Sequence, residues 1–111
     1  MARIFVVDDE APIKNLLHRF LVSFGHEVES TVSYEKAVDR IKIFSPALVI
    51  SDIDIFGYDG RSFITLFPDM KIIFISGNKD NEVPEKYLLI AKPFSLKDIL
   101  KAVEKVLGEK E

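Results

Sequence analysis

The strongest constraint on this chain is a repeated punctuation: short, largely apolar runs, each cut off by a residue that carries a charge or a hydroxyl. Residues 4–7 (Ile-Phe-Val-Val) stop at Asp8 and Asp9, residues 47–51 at Asp52, residues 71–75 at Ser76 and residues 87–91 at Lys92. Runs of this length without polar alternation suit strands buried on both faces, as in a parallel sheet covered by helices. Between them the apolar spacing changes from continuous to helical. Ile13, Leu16, Leu17, Phe20, Leu21 and Phe24 recur at helical intervals, with Pro12 suited to a first turn and Gly25 to a stop. Residues 27–31 predict a strand, and Ser33 a cap for a helix carrying Ala37, Val38 and Ile41, closed by Pro46. A polar, glycine-bearing loop is expected over residues 53–60, then a short helix around residues 63–67. Residues 79–87 are mostly polar and contain Pro84, so any helix there is brief. Ser95 and Asp98 form a capping-box pattern ahead of a helix bearing Ile99, Leu100, Val103, Val106 and Leu107, with Gly108 as its stop.

Strands alternating with helices imply right-handed crossovers and an α/β fold. Five strands and about five helices predict a small flavodoxin-like, doubly wound parallel sheet of order 2-1-3-4-5, in one domain over residues 1–111. In such sheets ligands bind beyond the carboxyl ends of the strands, where the strand order reverses. Those ends are where Asp8, Asp9, Asp52, Ser76 and Lys92 fall.

Composition narrows the chemistry. The chain has no cysteine, which removes disulfides, thiolate metal sites and a cysteine nucleophile, and fits a reducing cytoplasm. Fifteen basic residues against eighteen acidic ones, a net charge of -3, argue against direct nucleic-acid binding. The longest stretch without a charged residue, residues 43–51, is too short for a membrane helix. Two carboxylates about 4 Å apart at an effective dielectric near 20 repel by about 4 kcal/mol, close to three pKa units. Three clustered at strand ends therefore need a cation or a shared proton. Lys92 offers one positive charge, and an all-oxygen donor set favours Mg2+ over zinc.

Four motifs in order carry a resemblance: Val6-Val7-Asp8-Asp9-Glu10, Asp52-Ile53-Asp54-Ile55-Phe56-Gly57-Tyr58-Asp59-Gly60, Ile75-Ser76-Gly77 and Lys92-Pro93-Phe94. From Arg3 to about Leu107 the chain resembles a receiver domain of two-component response regulators. The resemblance implies that Asp52 is the phosphoacceptor, charged by a sensor histidine kinase or a histidine phosphotransfer protein. It implies Mg2+ held by Asp9, Asp52 and the backbone carbonyl of Asp54, with Asp8 acting through water. Lys92 would pair with one phosphoryl oxygen and the Ser76 hydroxyl with another, while Gly77 leaves the site open and offers its N–H. A cis Lys92-Pro93 peptide is implied too. The output would be a conformational change read by a downstream protein target, in a monomer with no further domain, since only Glu109, Lys110 and Glu111 follow Gly108.

The chain departs from the family in three ways. Phe56 stands where a proline is usual. Leu89 holds the place of the aromatic switch residue, with Tyr87 two positions back on the same side of the strand. The intervals from Asp52 to Ser76 and from Ser76 to Lys92 are short, which truncates the third and fourth helices and cuts into the usual output surface. Partner recognition is accordingly expected on the first helix, around Ile13 and Leu17, or on the last. Asp54 is a candidate for tuning the lifetime of the acyl phosphate, or a solvent-facing loop acid. His18 and His26 lie outside every motif and read as surface or packed side chains.

Two alternatives stay open. Asp52-Ile53-Asp54 also resembles the nucleophile motif of haloacid-dehalogenase-type phosphatases, although there the acidic pair follows the nucleophile, whereas Asp8 and Asp9 precede it here. A degenerate receiver would instead act as a phosphorylation-independent binding module.

Overall fold

The computed structural model describes residues 1–108, so Glu109, Lys110 and Glu111 lie outside it. Five parallel strands form the main sheet: β1 (Arg3–Val7), β2 (Glu27–Thr31), β3 (Leu48–Asp52), β6 (Ile72–Ser76) and β7 (Leu88–Ala91), in the order β2-β1-β3-β6-β7. Counting the sheet strands alone, this is the order 2-1-3-4-5, and the fold is flavodoxin-like. β1 lies between β2 and β3, so the order reverses there and a crevice opens at the carboxyl ends of β1 and β3.

Strand alternation builds two cores. Phe5 and Val7 of β1 face one side, packed with Ala37, Phe44, Val49, Phe63 and Phe74. Ile4 and Val6 face the other, packed with Leu17, Leu21, Ile50, Ile73 and Val103. The helices covering these faces are α1 (Ala11–Ser23), α2 (Tyr34–Phe44), α3 (Phe63–Leu66) and α4 (Leu96–Leu107). α1 starts with a proline in its first turn, and the Ser33 hydroxyl caps α2 by accepting from the Lys36 N–H. Both halves of the Ser95–Asp98 capping box are made on α4, which stops at Gly108 with φ 73°.

Three expectations change. The stretch 53–60 is not an irregular loop: β4 (Asp54–Ile55) and β5 (Tyr58–Asp59) pair as an antiparallel hairpin. Its two turn residues, Phe56 and Gly57, have φ of 50° and 87°. Positive φ at both central positions is the signature of a type I′ turn, which matches the twist of the flanking strands. The described residues contain four α-helices and a 3-10 turn at Gly60–Ser62 rather than five helices. Residues 79–87 hold no helix at all, because Pro84 and scattered polar side chains leave no apolar face to dock. Leu17 cannot meet a partner, since it is wholly buried beneath α1.

Candidate functional site

Each predicted strand-end residue arrives at the same crevice. Asp8 follows β1, Asp52 ends β3, Ser76 ends β6 and Lys92 follows β7, so parallel pairing brings together residues up to 84 positions apart in sequence. The Asp52 side chain is almost fully buried, and its two oxygens have different partners. Oδ1 accepts from the Asp54 N–H at 3.0 Å, and Oδ2 accepts from Lys92 Nζ at 2.8 Å. Lys92 also donates to Glu10 Oε2 at 2.8 Å and lies 3.2 Å from Asp8 Oδ2. Asp9 sits at the rim, where its Oδ2 accepts from the Phe56 N–H at 3.2 Å. The Lys92-Pro93 peptide is cis.

One ammonium thus faces three carboxylates. Asp8 is completely buried. Its burial pushes the carboxyl up from 3.8 to about 6, against the opposing pull of the Glu10 N–H and the Lys92 charge. Burial acts on Lys92 in the other direction, but the hydrogen bonds to Asp52 and Glu10 and the nearby Asp8 charge outweigh it, and its pKa is raised. The crevice is therefore short of positive charge. Asp8, Asp9, Glu10 and Asp52 each offer a carboxylate oxygen, and these atoms lie within 4.8 Å of one another. Hard oxygen donors with a surplus of negative charge fit a hard divalent cation.

Gly60 supports Asp52 from behind. It is buried, its N–H donates to the Ile53 carbonyl at 2.6 Å, and a Cβ there would meet the Asp52 carbonyl oxygen at 2.2 Å. The hairpin can pack beneath Asp52 because this position has no side chain. Gly77 lies on the open side of the crevice, beside the Lys92 stem.

Ser76 is engaged with its own loop rather than with Asp52. Its Oγ donates to the Asn78 carbonyl at 3.0 Å and accepts from the Asn78 N–H at 3.0 Å and from Asn81 Nδ2 at 2.7 Å. The two aromatic-switch candidates are placed differently. Leu89 faces outward on β7, 37% exposed, while Tyr87 lies just before that strand, buried edge-to-face on Phe74 at 5.8 Å. Asp54 is exposed and accepts from the Gly57 N–H at 3.3 Å. His26 is buried and accepts from the Ala2 N–H, and His18 bonds Ser30 on the neighbouring strand.

Sequence reasoning missed Glu10, Asn78 and Asn81. Glu10 stands directly after the acidic pair, which was its available signal. The two asparagines fall in the polar stretch 79–87 and its approach, where no motif marks them. Among the described residues no helix is long and apolar enough to cross a membrane.

Known proteins resemble this chain in sequence and fold. Residues 4–104 match the response regulator receiver domain family. The chain is 29% identical to the response regulator receiver protein CpdR of Brucella abortus, covering 96% of this chain and 98% of that one. It is also 29% identical to the C4-dicarboxylate transport transcriptional regulatory protein DctD of Rhizobium meliloti, of which it spans only 22%. Among solved structures, the receiver domain of the hybrid histidine kinase CckA superposes with a TM-score of 0.82 at 25% identity, covering 95% of this chain and 98% of that one. NtrX of Brucella abortus gives 0.82 at 29% identity, over 96% of this chain and 27% of that one. A family match that runs from the first strand into the last helix, with this crevice inside it, makes the chain a member of the response regulator receiver domain family, the signalling phosphoacceptors of two-component systems.

Proposed function

We propose that Asp52 accepts a phosphoryl group from the phosphohistidine of a sensor histidine kinase or histidine phosphotransfer protein, and that the chain relays this state to a downstream protein. The observation that carries the reading is the Asp52 carboxylate itself. It ends the central strand, one oxygen is fixed by the Asp54 N–H and the other by Lys92 Nζ at 2.8 Å, and it opens on a cleft shared with Asp9, Ser76 and Gly77.

The chemistry is positioning and charge neutralisation. A carboxylate oxygen of Asp52 attacks phosphorus in line with the P–N bond. The new P–O bond forms as the P–N bond breaks, and its electron pair returns to an imidazole that is protonated on its other nitrogen and leaves neutral. Lys92 holds one phosphoryl oxygen and offsets the added charge. The Gly77 N–H and the Ser76 hydroxyl receive others once the loop lets the hydroxyl turn. Asp9, Asp52 and the Asp54 carbonyl would hold Mg2+, with Asp8 acting through water. That ion, when bound, neutralises charge on the phosphoryl oxygens.

The test is incubation with acetyl phosphate and Mg2+ followed by intact-protein mass spectrometry. One added phosphoryl group is expected, absent in Asp52→Ala. No adduct, together with no Mg2+-dependent binding of a phosphoryl mimic, would instead mark a phosphorylation-independent binding module. Rapid turnover of small phosphate esters would mark a phosphatase.

A further inference from the structure

A receiver with no helix over residues 79–87, and with Leu89 where an aromatic switch residue is usual, needs another connection between Ser76 and its surface. A hydroxyl has one proton and two acceptor positions. Ser76 Oγ uses all three within one short segment: its proton goes to the Asn78 carbonyl, and its lone pairs accept from the Asn78 N–H and from Asn81 Nδ2. The contact to Asn81, at 2.7 Å, is the shortest of the three and the one that involves another side chain. Asn81 lines the same cleft as Asp52 and Lys92.

The residue after Asn81 is tied to the opposite bank. The Glu82 carbonyl accepts from the Arg61 guanidinium at 3.0 Å. Arg61 is itself pinned by Asp59, with contacts of 2.8 and 3.0 Å. Asp59 belongs to β5, the second strand of the hairpin that follows Asp52. Val83, one position further on, packs on the core that contains Tyr87. The segment 78–83 is thus held between a hydroxyl that phosphorylation would call away and an arginine that stays anchored.

We propose that Asn81 is the residue that positions the Ser76 hydroxyl, and that it transmits the state of Asp52 to residues 82–83 and Arg61, in place of a fourth helix and an aromatic switch. The inference rests on Asp52 being the phosphoacceptor. To bond a phosphoryl oxygen, Ser76 must withdraw its one proton from the Asn78 carbonyl. The hydroxyl then turns toward Asp52, Asn81 Nδ2 follows its acceptor into the cleft, and the Glu82 carbonyl is drawn off Arg61. Leu89 has no polar atom with which to do the same.

The experiment is NMR of the whole chain with Mg2+ and beryllofluoride, a phosphoryl mimic whose binding is read independently by its own fluorine resonance. In the unmodified protein, Ser76 is expected to shift together with the Glu82 and Val83 amides and the Arg61 guanidinium. In Asn81→Ala, the Ser76 shift persists while those at Glu82, Val83 and Arg61 fall to less than a quarter. Asn81→Gln, which keeps the amide donor, restores more than half. Full-size shifts at 82–83 and Arg61 in Asn81→Ala overturn the proposal. So does a beryllofluoride complex of the unmodified protein that leaves those residues unmoved, and in that case the phosphoacceptor reading stands. Absence of any beryllofluoride complex overturns both.

Discussion

Replacing Asp8 by asparagine is expected to make the metal-free protein more stable at pH 8, although it removes an ion pair. A carboxyl raised from 3.8 to about 6 on folding holds its proton more tightly in the folded state. The sign follows from that difference. Between pH 4 and pH 6 the folded chain binds more protons than the unfolded one, so stability is lost as pH rises through this window and the loss is complete above it. At about 1.4 kcal/mol per pKa unit, the ionised Asp8 costs the folded state about 3 kcal/mol. Asparagine keeps the acceptor for the Glu10 N–H, which lies 2.8 Å from Oδ1, but turns an uncharged group toward Lys92, 3.2 Å from Oδ2. The amide NH2 then meets the ammonium donor to donor, which returns part of the gain, because a buried polar group without a partner costs about 1–3 kcal/mol. The net expectation is a gain of about 1–2 kcal/mol at pH 8, shrinking to nothing near pH 4. Urea unfolding in EDTA at pH 4.5, 6 and 8 measures it. A variant less stable than the parent at pH 8 would refute the reasoning, because it would mean that the Lys92 ion pair outweighs the burial of Asp8.

Lys92→Ala leaves Asp8 and Asp52 buried without their cation, and is expected to cost about 3–5 kcal/mol at pH 8, as for other broken buried pairs, and distinctly less at pH 5; chemical denaturation at the two pH values tests this. Gly60→Ala drives a Cβ to within 2.2 Å of the Asp52 carbonyl oxygen. It should lose at least about 1–3 kcal/mol to overpacking, and acetyl phosphate labelling should slow with it. Phe56→Asn places Asn-Gly in the hairpin turn and removes an aromatic residue, 70% exposed, from φ 50°. A rise in stability of about 1 kcal/mol is expected, read from the urea midpoint, and a fall would show that the Phe56 ring contributes packing that offsets its backbone strain. Mg2+ at 100 times its dissociation constant should raise stability by about 2.7 kcal/mol, an effect that EDTA reverses and Asp9→Ala weakens.

Much of the site is legible in the sequence because parallel strands deliver their ends to one place. Once residues 4–7, 47–51, 71–75 and 87–91 read as strands, the residues after them had to share an edge of the sheet. The capping box at Ser95 and the stop at Gly108 were readable for a similar reason, since helix ends have local chemical needs. The hairpin at Asp54–Ile55 and Tyr58–Asp59 was not. Phe56 is a poor residue for positive φ, and Gly57 alone does not tell a type I′ turn from an ordinary loop. Leu17 was misjudged because helical periodicity reveals a buried face without saying which of its members touches solvent.

What the sequence determined by itself was the succession of the five sheet strands, the helices α1, α2 and α4, and the set of side chains at the strand ends, because periodicity, caps and charge act over a few residues. Tertiary structure alone decided how those side chains share protons and partners. Lys92 bridges Asp8, Glu10 and Asp52, and Asn81 reaches back to Ser76, through contacts of about 3 Å between segments that sequence leaves independent. Electrostatics and hydrogen bonding at that range depend on distance and burial, and both exist only once the sheet has closed.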